Sequence, residues 1–299
     1  MPSHTTPTPP IVTPNDIVTG STRALGWQHI NLERDRSGPG HMRLAQGAAE
    51  HLLILHRGPA RVLREVDGAG KDCTLSSGNF VLVPAAVPVA WTFDRLDVQL
   101  MTVSPALLCQ VAEEMEWPGT GELRLTDRDQ PEATVASVLR CLESEWKSGG
   151  ERGQLYRDAL VRVLACHLLR AYGDAKPRLG RAPRAPGSVL RAIEYLSDRY
   201  TSNPSLTQLA GVARLNPSHL TTVFREATGL APHQFLIHLR VERAKNWLRC
   251  GRERGVPLAE LSARLGFSDQ SHFIRHFKRL TGSTPRAWRT ADSKERPIR

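Results

Sequence analysis

Long hydrophobic runs are missing from this 299-residue sequence. The nearest candidate, Phe80 to Phe93, is interrupted by Pro84 and Pro88, whereas a membrane-spanning helix needs about 18 uninterrupted apolar residues. No membrane partner is therefore expected. The opening stretch, MPSHTTPTPPIVTP, lacks a basic segment leading into an apolar one, so no secretory signal is expected either. Cysteine is scarce and scattered: Cys73, Cys109, Cys141, Cys166 and Cys250 form no Cys-x-x-Cys and no Cys/His ligand spacing. That excludes a disulfide framework and a structural zinc site, and it suits free thiols in a reducing cytoplasm. With 40% hydrophobic and 23% charged residues the composition is ordinary, which excludes disordered and fibrous classes.

Acidic residues are scarce only in the last third. Residues 1–187 hold 21 Lys/Arg and 21 Asp/Glu, whereas residues 188–299 hold 19 and 9, so the whole net charge of +10 lies there. The asymmetry points to a polyanion partner, nucleic acid before membrane, with a merely solvated basic face as the alternative. The same region repeats itself at a separation of 53 residues. Ser218-His219-Leu220 answers Ser271-His272-Phe273, Phe224-Arg225 answers Phe277-Lys278, and Thr228-Gly229 answers Thr281-Gly282. Pro232 answers Pro285, and Phe235 answers Trp288. Each copy follows a short apolar helical pattern: Leu206, Leu209, Ala210 and Ala213 before the first, Leu258, Leu261 and Leu265 before the second. Helix, short turn, and a second amphipathic helix ended by Thr-Gly is a helix-turn-helix, used twice.

The chain sorts into an arm at 1–20, a first domain at 21–172, a linker at 173–187 and a helix-turn-helix domain at 188–292. The arm is Thr/Pro-rich and expected to be mobile. From Ala24 to Thr102, short apolar runs alternate with Gly, Pro and Asp. The expected strands are Trp27–Leu32, His51–His56, Ala60–Val66, Asp72–Leu75, Phe80–Val83, Val89–Phe93 and Val98–Val103. Strands this short and this frequent suggest a β-barrel or sandwich, which protects strand edges. A helical period follows, in a helix from Pro105 through Met115 with Ser104 as cap, then over Asp129–Lys147 and Gln154–Tyr172. The apolar stripes of the last two require a partner surface, either the barrel or a second chain in a homodimer. GDAKPRLGRAPRAPG, Gly173 to Gly187, has linker composition. Beyond it every element is helical: Ser188–Tyr200, the first helix-turn-helix over Ser205–Thr228, Pro232–Leu248, the second over Pro257–Thr281, and Pro285–Thr290. The predicted fold class is thus a β-barrel or sandwich with a helical pair, followed by an all-α domain with two helix-turn-helix motifs.

A recognition helix buries one face, presents base-reading side chains from its first turns, and meets phosphates with flanking cations. In the second copy Phe273 and Phe277 form the buried face, leaving Gln270, Ser271, Ile274, Arg275 and Lys278 outward. Gln270 suits an adenine edge and Arg275 the O6 and N7 of guanine. In the first copy Leu220 and Phe224 are buried, and Ser218, Thr221, Thr222 and Arg225 face out. Thr222 stands where the second copy has Arg275, so the first module is expected to discriminate less. An ordinary solvated position is the alternative for each.

GFSDQSHFIRHFKRLTGSTPRAWR, Gly266 to Arg289, resembles the signature of the AraC/XylS family of bacterial transcription regulators. SLTQLAGVARLNPSHLTTVFREATGLAPHQFL resembles that family's first helix-turn-helix. The resemblance covers about the last 100 residues, a domain's length. It implies two modules joined by a rigid helix in successive major grooves of a double-stranded operator, with base contacts from Ser218, Thr221, Thr222, Gln270, Ser271 and Arg275. RNA polymerase is the implied partner, and activation the implied effect. The N-terminal part resembles cupin-like sensor domains, because Gly78-x5-Pro84 matches the start of their second motif. Val89 stands where metal-binding versions place histidine, and no pair of histidines at i and i+2 occurs. His41, His51 and His56 are isolated, so neither a metal site nor a cofactor is expected. An apolar pocket for a small-molecule effector remains, with Trp27, His51 and Trp91 as candidate lining. The alternatives are a constitutive DNA binder with a vestigial barrel, and a cupin-type enzyme with a DNA-binding tail. An alkyl-accepting repair enzyme would need an activated thiolate that no cysteine here provides. The chain is therefore not expected to be an enzyme.

Overall fold

HLLILH and FVLV are nearly continuous apolar runs because their strands are buried on both faces. In β4 (His51–His56), Leu52 and Ile54 point one way and Leu53 the other, following the two-residue period of a strand. The computed structural model describes residues 18–66, 69–128, 132–175, 186–250 and 256–292. Most of the expected arm, and the expected linker from 176 to 185, lie outside the described residues. The described chain forms two compact units, one holding 18–140 and 165–175, the other 141–164 and 186–292.

In the first unit, β4 belongs to a six-stranded antiparallel sheet of order β1-β2-β9-β4-β7-β10. Its other members are β1 (Val18–Ser21), β2 (Ile30–Ser37), β7 (Phe80–Val83), β9 (Leu96–Val103) and β10 (Thr126–Arg128). A second antiparallel sheet has the order β3-β8-β5-β6, from β3 (Gly40–Leu44), β5 (Ala60–Val66), β6 (Ala69–Leu75) and β8 (Val89–Phe93). Between the sheets lie Leu52, Val62, Leu75, Val81, Trp91 and Phe93, all buried. The opposite face of the larger sheet carries Leu32, Leu53, Phe80, Leu82 and Met101, with no exposed surface at all. Tyr172 packs there, its ring 5.9 Å from that of Phe80. The first unit is the expected β-sandwich.

Several strands differ from expectation. β1, β3 and β10 were not expected, and Trp27 precedes its strand rather than opening it. Residues 23–25 form a 3-10 turn, and β2 starts only at Ile30. The reason is visible in INLERDRS: charged residues alternate with few apolar ones, yet Asn31, Glu33 and Asp35 are buried. A polar strand whose polar face points inward gives no amphipathic signal.

The helices are α1 (Pro105–Glu114), α2 (Ala133–Lys147) and α3 (Gln154–Tyr172). Ser104 precedes α1 as expected, but its hydroxyl makes no capping bond. Val135, Val138, Leu139 and Leu142 of α2, and Leu160, Val163, Leu164 and Leu168 of α3, are all buried in the single chain. The residues of both stripes are thus covered by the chain's own residues. In the second unit, the Cys141 thiol donates to Glu194 Oε1 at 2.9 Å, and Arg152 pairs with Asp198 at 3.2 Å. Among the described residues that unit also holds α4 (Pro186–Asp198), α5 (Leu206–Ala213), α6 (Pro217–Thr228), α7 (Pro232–Cys250), α8 (Leu258–Arg264), α9 (Gln270–Thr281) and α10 (Pro285–Asp292).

Candidate nucleic-acid interface

The 53-residue repeat is a repeat of contacts. Asn216 Oδ1 accepts the His219 amide at 2.8 Å to start α6, and Asp269 Oδ1 accepts the His272 amide at 2.7 Å to start α9. At the other ends, the Thr228 and Thr281 hydroxyls donate to Phe224 O and Phe277 O, each at 2.8 Å. Gly229 and Gly282 then close the helices at φ 76° and 78°, in the left-handed region. The aromatic pairs also correspond: Phe224 meets Phe235 at 5.4 Å and Phe277 meets Trp288 at 5.9 Å, both edge-on at 81°. The turns themselves differ. Left-handed Arg214 stands two residues before the first cap, left-handed Gly266 three before the second.

Burying Leu220 and Phe224 fixes which side of α6 faces out, as Phe273 and Phe277 do for α9. Ser218, Thr222 and Arg225 are exposed, and Thr221 is half-buried. Gln270, Ser271, Arg275 and Lys278 are exposed on α9, and Ile274 is half-buried. The two faces differ chemically. The Thr221 and Thr222 hydroxyls donate to the carbonyls of Pro217 at 3.0 Å and Ser218 at 3.2 Å, which leaves each oxygen an acceptor beside a methyl group. Arg275 and Lys278 enter no hydrogen bond or ion pair among the described residues, so their donors face solvent.

One row on α9 was not singled out from the sequence. The Arg279 guanidinium, which only donates, lies 3.1 Å from His276 Nδ1, and His276 Nε2 lies 2.8 Å from His272 Nε2. His276 Nδ1 therefore accepts, and Nε2 carries the proton toward His272. His272 then bears its own proton on Nδ1, facing Ser268 Oγ at 3.4 Å, and Ser268 donates to Asp269 Oδ2 at 3.1 Å. Desolvation, then the neighbouring His272 and the arginines, pushes His276 down to about 4, so it is neutral at physiological pH. The sequence signal was the i,i+4 spacing of the two histidines, which places them on one side of the helix.

Arg240 in α7 holds the start of the first module. Its guanidinium donates to Tyr200 O and Ser202 O, both at 2.7 Å, and to Asn203 Oδ1 at 2.9 Å, and it lies over the Phe267 ring of the second module. A buried arginine persists only when its donors are satisfied in this way. The loop it clamps also touches the second turn, since a Cβ on Gly266 would sit 2.3 Å from Thr201 O. One connecting helix thus ties both modules into a single core.

The first unit holds a cavity of about 80 Å3 between its sheets. Trp91 lines it, with Leu52, Val62, Phe93, Val98 and Leu100. Trp27 and His51 do not. His51 lies on the opposite face of β4 from Leu52, where its Nδ1 accepts the Ala85 amide at 3.0 Å. Trp27 lies in the segment before β2. The polar groups of the lining are instead Asp35, His56 and Arg64.

A helix-turn-helix domain model matches residues 209–291. The chain is 28% identical over 181 residues to the HTH-type transcriptional regulator YbfI of Bacillus subtilis, covering 59% of this chain and 62% of that protein. Arabinose operon regulatory proteins also match: that of Escherichia coli K12 at 26% identity (59% of each chain), and that of Salmonella typhimurium at 32% (59% of this chain, 61% of the relative). The chain spans about three fifths of the length of these relatives. Among solved structures, the DNA-binding domain of AdpA in complex with a target DNA is 28% identical, covering 38% of this chain and 98% of that one, with a TM-score of 0.35. No described helix is long and apolar enough to cross a membrane.

Proposed function

We propose that the protein is a sequence-specific DNA-binding regulator of bacterial transcription of the AraC type, because residues 209–291 match a helix-turn-helix domain. The observation that carries this reading is the duplicated exposed face, with the same caps, core aromatics and outward positions on α6 and α9. In the proposal α6 and α9 enter successive major grooves of a double-stranded operator. Ser218, Thr221, Thr222, Gln270, Ser271 and Arg275 meet base edges, while Arg225 and Lys278 meet phosphates. RNA polymerase is the partner through which the protein activates, and a small molecule in the sandwich cavity sets its activity.

The modules contribute unequally in this reading. A guanidinium at Arg275 forks onto guanine O6 and N7, and such a pair discriminates by about 1–3 kcal/mol. Thr222 offers one acceptor and one methyl with shorter reach. The test is binding of the full chain to an operator library at fixed salt. Arg275→Ala should flatten preference at one base position, and Thr222→Ala should change preference little. Lys278→Ala should weaken all sequences alike and lower the salt slope by about one. Equal loss of specificity from Thr222→Ala and Arg275→Ala would overturn the unequal reading. Absence of any salt-sensitive DNA binding would overturn the function itself.

A further inference from the structure

An apolar cavity normally has no reason to hold a carboxylate. Asp35 is only 4% exposed, lines the inter-sheet cavity, and its Oδ1 has no hydrogen-bond partner among the described residues. His56, equally buried, lines the same cavity, and its Nδ1 also lacks a partner. The strand register relates the two. Asp35 on β2 and His56 on β4 both pair with Val98 on β9, so they flank Val98 on one face of the sheet. Two strand spacings separate them, about 10 Å. Two orphaned polar groups that line one apolar cavity on the same sheet face call for an explanation, and an absent ligand supplies one.

The local charge says what kind of ligand. Glu33, two residues from Asp35 and on the same face, is itself held by Asn31 Nδ2 at 2.7 Å and by Arg23 at 2.8 Å. Its charge adds to burial in disfavouring an ionised, unpartnered Asp35. Arg64 enters the cavity from the other sheet, but it is only half-buried and keeps contact with water. Solvent weakens its charge more than that of Asp35, which is only 4% exposed. His56 is neutral at physiological pH, because burial lowers it to about 4, and so offers no cation to an anionic ligand. The environment of Asp35 therefore favours a group that donates to it and disfavours a carboxylate.

We propose that this cavity binds a compact apolar molecule carrying a hydroxyl or amine, with that group donating to the Asp35 carboxylate. His56 offers a neutral hydrogen-bonding position on the far side of Val98 for ligands with a second polar group. The inference rests on the reading of the first unit as the effector-binding part of a regulator, and it names the class of effector.

Four probes of one shape separate the possibilities: toluene, benzyl alcohol, benzylamine and benzoate, each titrated calorimetrically into the full chain at pH 8, above the value of about 7 at which Asp35 ionises. Benzyl alcohol and benzylamine should bind about tenfold more tightly than toluene or benzoate, the gain of one hydrogen bond to a charged group. Asp35→Asn should remove most of the benzylamine advantage and leave toluene unchanged. The proposal is overturned if benzoate binds as well as benzylamine, if Asp35→Asn leaves the ranking intact, or if none of the four binds. Operator binding, measured on the same preparation, keeps the two readings apart. A chain that binds DNA but no probe refutes only the ligand class, and one that ranks the probes as stated but binds no DNA refutes only the regulator.

Discussion

Replacing Asp35 by asparagine should stabilise the first unit at alkaline pH and leave it nearly unchanged at acidic pH. Burial first, then the Glu33 carboxylate, pushes Asp35 up from 3.8 to about 7, against a smaller opposing effect of Arg34. Between those values the folded chain holds a proton that the unfolded chain has shed. Stability from this group is therefore present at low pH, falls as pH rises from about 4 to about 7, and stays low above that. Each tenfold difference in proton affinity is worth about 1.4 kcal/mol, so the gap amounts to roughly 4 kcal/mol. Water reaching the cavity lowers the figure, and about 2–4 kcal/mol is expected. Amide hydrogen exchange in β4 and β9 reports on the sandwich alone. The quantity to follow is the difference between Asp35→Asn and wild type from pH 5 to pH 8. Taking the difference cancels His51 and His56, which are lowered by burial and cost stability as pH falls. A difference that stays constant across that range would refute the desolvation of Asp35.

Two further outcomes follow from packing. Gly266→Ala puts a Cβ 2.3 Å from Thr201 O at φ +80°, and should cost about 2–5 kcal/mol in thermal unfolding. Gly282→Ala, at φ +78° with open space around it, should cost only the backbone part, about 1–2 kcal/mol; equal losses would deny the close approach of the Thr201 loop. Leu164→Glu places a charge at a position with no exposed surface, and should cost on the order of 5 kcal/mol, enough to prevent folding. A soluble, folded monomer of that variant, seen by circular dichroism and sedimentation, would return α3 to the surface.

The C-terminal helices were legible because their determinants are local. A cap such as Asn216 or Asp269, an apolar pair such as Phe273 and Phe277, and a closing Thr-Gly all act within a dozen residues. Repetition at 53 residues made each copy evidence for the other, and the outward faces of α6 and α9 followed from the helical period alone. Arg275 and Thr222 could be paired from sequence for the same reason. What lay beyond reach was anything set by non-local pairing. Nothing in RVERAK says that Arg240 would turn inward to Tyr200 and Ser202, about 40 residues away in the chain.

The contrast is sharpest in the first unit. Apolar strands such as β4 and β7 declared themselves, since a strand buried on both faces must be apolar throughout. The stripe on α3 declared itself too, but an apolar stripe looks the same whether it meets its own chain or another. Only the tertiary structure covers Leu164 with the chain's own residues. In β2 the sequence pattern pointed away from the core, and the register with β9 turned Glu33 and Asp35 inward. The sequence by itself thus determined which stretches are helical, which of their faces are apolar, and that one module is used twice. Tertiary structure alone decided which polar residues are buried and which strands enclose the cavity, because burial depends on what arrives from elsewhere in the chain.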